Sequence, residues 1–500
     1  MYLNKPNRLK TILIILSGWA VVSVLSACGS TPKEQVKPVN IIYILADDLG
    51  YGDLGVYGQE KFATPHIDRL AREGMLFTQH YAGSTVCAPS RSALMTGRHT
   101  GQTHVRGNRG MNGGQFPLPT DAVTIPKLLK QAGYVTGAFG KWGLGYPGST
   151  GDPLKQGFDT FFGYNSQTIA HNYYPWELNH DDGVIPLPEN EGVAQGLYAP
   201  DLIHEKTLDF IRNNRDTAFF LYIPSILPHA ELIAPEEYMM RYLEKDAAEN
   251  PLAYKSGFEP ETPYVGIDDP SDPRFKVGGY GSQPYPRAAF AAMVALLDEQ
   301  VGEILDLLDE LGLTENTLVI FTSDNGPHRE GGADPFFFNS NGPFQGTKRD
   351  LYEGGIRVPM LAKWPAVVQP GSRTDHISAF WDVLPTIVGI AGLEAPSSID
   401  GISFLPTLKG QEQPPHNYLY WEFHEQGGKQ AVRKGKWKAI RLNVREGNKS
   451  VMLFDLDEDP GETIDLAGTH PAIADELSTL MDQARVEDPE WPFLQAATTP

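Results

Sequence analysis

"VNIIYILADDLG" (residues 39–50) decides the fold. Its first part, Val39 to Ala46, is a near-continuous apolar run rich in β-branched residues, the composition of a strand buried on both faces. Such strands belong to parallel sheets covered by helices. Working outward, the order helix, short turn, strand recurs. "TPHIDRLAREG" (64–74) carries Thr64 as N-cap, Pro65 at the first helical position and Gly74 at its end. "DAVTIPKLLKQAG" precedes "YVTGAF", "DLIHEKTLDFIRNN" precedes "TAFFLYIP", and "AAFAAMVALLDEQVGEILDLLDELG" precedes "TLVIFTS". The reading is an α/β chain with a largely parallel sheet. Residues 249–286, rich in Pro, Gly and Asp, read as an irregular insertion. Beyond residue 415, "YLYWEF", "QAVRKGKWKAIRL" and "VMLFDL" suit a small antiparallel sheet, so the expected units are 39–415 and 416–500.

The 500 residues, 41% of them hydrophobic, suffice for one large domain or a large domain with a small one. A formal charge of −21 excludes a general nucleic-acid or anionic-lipid binder, since either needs a basic face. Any anionic ligand must be met by local positive charge. At the N-terminus, Lys5, Arg8 and Lys10 precede the apolar "TILIILSGWAVVSVL", which closes on "LSAC" at residues 25–28. This is the layout of a secretory signal ending in a bacterial lipobox. It predicts a signal peptide over 1–27, lipidated Cys28, a tether over 28–38, and an exported protein anchored to a bacterial membrane. The outer membrane, facing the periplasm or the cell surface, is the expected one. The alternatives are a plain membrane anchor and a soluble secreted protein. Of two cysteines, Cys87 then remains without a disulfide partner.

Polar residues follow the predicted strands: Asp47 and Asp48 after "IIYILA", Lys141 after "VTGAF", His229 after "FFLYIP", Asp324 and Asn325 after "LVIFTS". Parallel sheets bind ligands at the carboxyl ends of their strands, so these groups are candidates for one crevice. Singly, each has a plainer reading as a turn former or a satisfied polar group. Together, the three aspartates and Asn325 offer only oxygen donors, the set that suits calcium or magnesium rather than zinc. Neighbouring carboxylates also repel unless a cation compensates them. Cys87 fits such a hard cation poorly as a thiolate.

"CAPSRSALMTGR" (87–98) resolves that misfit, because it resembles the sulfatase signature, and "GYVTGAFGKWGLG" (133–145) is similar to the family's second signature. The resemblance runs from about residue 39 to 466 and takes in "DDLGYGDLG", "SDNG", "GTKRDLYEGGIRVP" and "LFDLDEDPGE". It implies an alkaline phosphatase-like α/β fold, a large mixed sheet sandwiched by helices, with a small C-terminal α+β subdomain. It implies conversion of Cys87 to Cα-formylglycine by a maturation enzyme, and one Ca2+ held by Asp47, Asp48, Asp324, Asn325 and modified Cys87. Arg91 would hold the formylglycine. Lys141, His229 and Lys348 would meet the sulfate or leaving-group oxygens, with His229 as general acid. The implied reaction is hydrolysis of a sulfated carbohydrate or an aryl sulfate. The alternatives are a phosphoesterase or phosphonate monoester hydrolase of the same superfamily and a non-catalytic binding lipoprotein.

One departure stands out. Many sulfatases carry histidine where "GKWGLG" has Gly143. "SQTIAHNYYPWELNH" offers His171, and less plausibly His180, as a replacement that reaches the sulfate. The plainer reading makes His171 a structural loop residue. The basic cluster Arg98, His99, His104, Arg106 and Arg109 is open to two readings, substrate anions or local packing. The aromatics of "HNYYPW" would stack on a sugar or bound an aryl group.

Overall fold

The computed structural model describes residues 38–191, 195–245, 252–268, 272 and 279–493. The signal peptide, Cys28 and nearly all of the tether lie outside the described residues, as does part of the 249–286 insertion. Among the described residues an eleven-stranded sheet forms the centre. Its main strands are β1 (Asn40–Ala46), β2 (Met75–Tyr81), β3 (Val135–Lys141), β4 (Thr160–Tyr164), β5 (Phe219–Pro224), β6 (Thr317–Ser323) and β7 (Arg357–Lys363). In space β6, β1, β5, β3 and β4 lie side by side and parallel, with Ile42 facing Val319 on one side and Leu221 on the other.

The sheet is mixed, as the family resemblance implied and as the local helix, turn, strand pattern alone did not show. β7 pairs antiparallel with β6 and β2 antiparallel with β7, while the short strands Glu177–His180 and Gly183–Pro186 form an antiparallel margin beyond β4. Helix, turn, strand is the local pattern for either direction, so strand direction came only from long-range pairing.

Alternate residues of β1 feed two cores. Ile42, Ile44 and Ala46 pack with apolar residues of α1 (Pro65–Glu73) and of the helices Ala199–Asn213 and Pro286–Glu310. Ile41, Tyr43 and Leu45 pack on the other face with the helix Cys87–Thr96, hereafter α2, and with Val383–Ile390. Thr64 precedes α1, but its hydroxyl serves Gly55 N–H and Asp68. Buried Asp298 of the long helix accepts the His66 and Ile67 N–H groups at 3.0 and 2.7 Å instead, a tertiary cap. In the insertion, Leu252–Tyr254 pairs with Leu243–Lys245, and Tyr264 bridges to Gln283.

The C-terminal part is a four-stranded antiparallel sheet, Leu419–Phe423, Lys429–Lys434, Trp437–Leu442 and Met452–Asp455, with helix Pro471–Ala484 packed on it. Trp421 Nε1 donates to Ala82 O at 2.9 Å, fastening this sheet to the end of β2.

Candidate active site

The parallel strands end on one side, and there the chain exchanges apolar for charged side chains. Asp47 and Asp48 follow β1, Lys141 is the last residue of β3, His229 follows β5, and Asp324 and Asn325 follow β6. Cys87 is the first residue of α2, and Lys348 enters from the loop before β7. All are buried.

Cys87 Sγ lies 3.3 Å from Asp47 Oδ1 and 3.5 Å from Lys141 Nζ. Lys141 Nζ donates to Asp47 Oδ2 at 2.6 Å. Arg91, one helical turn after Cys87, binds Asp324 Oδ2 through Nε and Nη2 at 3.1 and 2.8 Å and donates to the Lys141 carbonyl. Ser90 Oγ donates to Asp324 O and accepts Gly83 N–H, so α2 is welded to the Asp324 turn. Asp48, at a φ of 64°, holds a left-handed conformation uncommon for a residue with a side chain. Its N–H donates to Asp324 Oδ1 at 3.1 Å, and its carboxylate receives Asn325 Nδ2 and Lys348 Nζ, each at 2.7 Å. His229 Nε2 stands 3.1 Å from Lys348 Nζ, while Nδ1 donates to Ala230 O.

The electrostatics follow from burying so many charges. Burial opposes ionisation of Asp47, yet the charges of Lys141, Arg91 and Lys348 hold it well below the usual carboxylate range. Burial and the charge of Asp47 push Asp324 up to about 7. Burial, with Asp324 and Asp47 beside it, pushes the Cys87 thiol well up, so the cysteine form is a protonated thiol. Burial and Lys348 push His229 down, leaving the imidazole neutral. Asn325 Oδ1 is buried without a hydrogen-bond partner, while its Nδ2 donates to Asp48 Oδ1. Carboxylate oxygens of Asp47 and Asp48 lie within 4.8 Å of one another, of Cys87 Sγ and of a His229 ring nitrogen, and these oxygens with the orphaned Asn325 carbonyl suit a hard divalent cation.

His171 reaches this centre: its ring stacks on His229 with centroids 4.6 Å apart and planes 8° apart. His180 does not. It sits at the sheet margin against Phe162 and Asp181. The basic cluster packs locally where the structure gives it partners. Arg106 binds Glu422, Arg109 binds Glu490 and covers Phe116, and His99 faces Asp400.

Several neighbours were not anticipated. Buried His328 also stacks with His229, centroids 5.6 Å apart, and faces Pro228 O at 3.3 Å. Glu330 lies 3.6 Å from Lys348, and the Tyr280 ring lies 5.6 Å from that of His171. At Gly143, φ is 77°, and a β-carbon there would stand 3.1 Å from Gln167 Oε1, itself buried and unpartnered. Gln167 therefore fills the space that a side chain at 143 would enter. His328 was readable three residues past Asn325 in "SDNGPHRE"; Gln167 carried no local signal.

An α/β sheet with a lysine-flanked carboxylate cluster at the ends of its parallel strands, and a buried cysteine beside it, offers positive charge and a cation site to the oxygens of an anionic ester. The chain matches the Sulfatase family over residues 39–393, and the C-terminal part of N-sulphoglucosamine sulphohydrolase over residues 344–489. It belongs to the sulfatase family and is a sulfuric ester hydrolase. It is 31% identical to the N-acetylgalactosamine-6-sulfatase of Rattus norvegicus, with 92% of this chain and 87% of the relative covered. It is also 31% identical to the N-acetylgalactosamine-6-O-sulfatase of Bacteroides thetaiotaomicron, covering 96% and 99%. Among solved structures, Ps i-CgsB in complex with k-i-k-neocarrahexaose superposes with a TM-score of 0.74 at 28% identity, covering 92% and 96%. The phosphoesterase and binding-protein alternatives give way to this match.

Proposed function

We propose that the protein removes sulfate from a sulfated carbohydrate, using formylglycine made from Cys87 and one calcium ion held by Asp47, Asp48, Asp324 and Asn325. The observation that carries it is the buried Cys87 thiol, held protonated between Asp47 and Lys141 in the cation-ready cluster. As a thiol it is neither a nucleophile nor a hard-metal ligand, so its placement makes chemical sense only after conversion. Calcium, when bound, supplies positive charge against the sulfuryl oxygens, and the hydrated aldehyde of formylglycine supplies an oxygen nucleophile.

The chain's own residues do the rest. Arg91, locked by Asp324 and the Lys141 carbonyl, fixes the start of α2 and so the position of residue 87. Lys141 and Lys348 bring two ammonium groups to one space, where they bind sulfuryl oxygens whose charge grows in the transition state. Lys348 Nζ and His229 Nε2 hold a proton between them at 3.1 Å, and His229 passes it to the departing oxygen. His171, stacked on His229, keeps that ring in plane and contacts the sulfate subsite. The names of the relatives make N-acetylgalactosamine 6-sulfate the first substrate to test.

Export and a lipid anchor on Cys28 belong to the same reading, supported by Lys5, Arg8, Lys10 and "LSAC". A maturation enzyme of the producing cell is then required to convert Cys87. The test is mass spectrometry of the tryptic peptide containing residue 87 from active protein. The aldehyde form should be about 18 Da lighter than the thiol, the difference between formylglycine and cysteine, and its hydrate nearly isobaric with it. Active enzyme with an unmodified thiol would overturn the proposal.

A further inference from the structure

Beside the candidate centre lies a cavity of about 270 Å³ with Lys348 in its wall and Gln426, from a hairpin of the C-terminal sheet, on its other side. Its remaining charged lining is Arg329, Glu330, Arg349 and Asp350. Both acids are answered from within the protein. Asp350 receives Lys429 Nζ at 3.1 Å and the Thr347 N–H at 3.2 Å. Glu330 meets Arg349, and also His328 at 3.5 Å and Lys348 at 3.6 Å. Arg329 is exposed, and among the described residues no carboxylate pairs with it; its guanidinium lies 5.1 Å over the Phe336 ring. Arg349 is held at a φ of 76°, a costly conformation for a residue with a β-carbon. It is pinned by its N–H on Thr85 O at 3.1 Å and by Lys429 Nζ on its carbonyl at 2.7 Å. Arg349 shares its charge with Glu330 and lies 3.9 Å from Glu425, whereas Arg329 keeps an unpaired guanidinium among the described residues, so a chain of net charge −21 leaves one free cation at the mouth of its candidate centre.

We infer that this cavity is a subsite for a second oxyanion on the same carbohydrate, a sulfate ester or a carboxylate, read by Arg349 and Arg329. The inference rests on the sulfatase reading of the neighbouring centre. A guanidinium presents a planar fork of donors that matches either oxyanion with two hydrogen bonds. Because the cavity adjoins Lys348, the group it reads sits on the leaving-group sugar, not on the sulfate being removed.

The test is competition against p-nitrophenyl sulfate hydrolysis by matured, calcium-loaded protein. The competitors are N-acetylgalactosamine 6-sulfate as baseline, its 4,6-disulfate, and the disaccharide of glucuronate with N-acetylgalactosamine 6-sulfate. At least one doubly charged probe should inhibit at about tenfold lower concentration than the baseline, and which one does so identifies sulfate or carboxylate. In Arg329→Gln and Arg349→Lys the advantage should shrink, in the double variant Arg329→Gln/Arg349→Gln it should fall within about threefold of unity, and added salt should erode it. Thermal melting checks that each variant is folded. Equal inhibition by all three probes, or an advantage retained by the folded double variant, would overturn the inference. If neither p-nitrophenyl sulfate nor any of the sulfated sugars is hydrolysed by protein confirmed as formylglycine at position 87, the proposed function fails; calorimetric titration of the same probes into wild type and double variant then decides the subsite separately.

Discussion

Two clusters of buried charge sit in this protein, and they are built differently. Where the two sheets meet, Glu353 accepts from Tyr81 OH at 2.6 Å, Arg357 at 3.1 Å and Lys438 at 2.9 Å, and Lys438 also meets Glu462 at 2.8 Å. Glu462 closes the circuit by accepting the Glu353 N–H. Every charge there faces an opposite charge or a proton. At the strand ends, three aspartates share two lysines and Arg91, Asp324 is pushed up to about 7, and Asn325 Oδ1 has no partner. Buried charge that serves architecture closes on itself, whereas buried charge that serves chemistry leaves a place for something to arrive.

Removing what arrives gives the largest expected effect. Chelation of the mature enzyme should abolish turnover and lower its melting temperature, because a ligand bound only to the folded state stabilises it. Calcium, and to some degree magnesium, should restore both, since the donors are all oxygens. Rescue by zinc alone would show the oxygen-donor assignment to be wrong. The sheet-to-sheet cluster should be indifferent to this treatment.

Lys438→Met attacks the other cluster. It removes the buried cation that pairs with Glu353 and touches Glu462, leaving Glu353 to Arg357 and Arg433, at a cost of about 3–5 kcal/mol. Melting temperature should fall sharply, while turnover of the folded protein at moderate temperature changes far less than on chelation. Loss of turnover without loss of stability would show that the two clusters are functionally one.

The sequence showed the site better than the sheet. Asp47, Asp48, Lys141, Asp324 and Asn325 each follow an apolar strand, and that local fact is what brings them together. Lys348 follows no strand, so only the family resemblance pointed to it. That the sheet is mixed came from the family resemblance alone, because β2 follows α1 with the same helix, turn, strand pattern as the parallel strands, and its partner β7 lies far along the chain. Gln167 beside Gly143, Asp298 capping α1, and the closed circuit of Glu353 and Glu462 all depend on contacts distant in sequence, which no local pattern encodes.

His171→Ala tests a smaller claim within the open cluster. If His171 contacts the sulfate subsite and steadies His229, its loss should cost about 3 kcal/mol, roughly a hundredfold in turnover at saturating substrate. Position 87 must first be confirmed as formylglycine and folding checked by melting. Turnover within about threefold of the parent would make His171 structural, with Gln167 as the residue filling the space beside Gly143.

The smallest effect is a pH dependence in the closed cluster. Burial, with Glu353 beside it, pushes Glu462 from 4.5 up to about 7, whereas Lys438, Arg357 and Arg433 hold Glu353 down at about 2 against its burial. A raised pKa means that the folded state holds the Glu462 proton more tightly than the unfolded chain. The stability it contributes is full below about 4.5 and is lost as pH rises through about 7. Glu353 works in the opposite sense: its contribution is complete above about 4.5 and disappears only towards pH 2, so it is constant near neutrality. Between pH 6 and 8.5 the wild type should therefore lose about 1 kcal/mol through Glu462 alone. Glu462→Gln keeps the size and hydrogen-bonding capacity but cannot titrate. Its stability relative to wild type should rise by that amount across the same window, a relative melting shift of about 1–2 °C for a chain of this size. Comparing variant with wild type at each pH cancels the titration of all other groups. A difference that stays flat from pH 6 to 8.5, or that runs the other way, would show that Glu462 is already ionised when folded and that Lys438 is shared by two carboxylates rather than one.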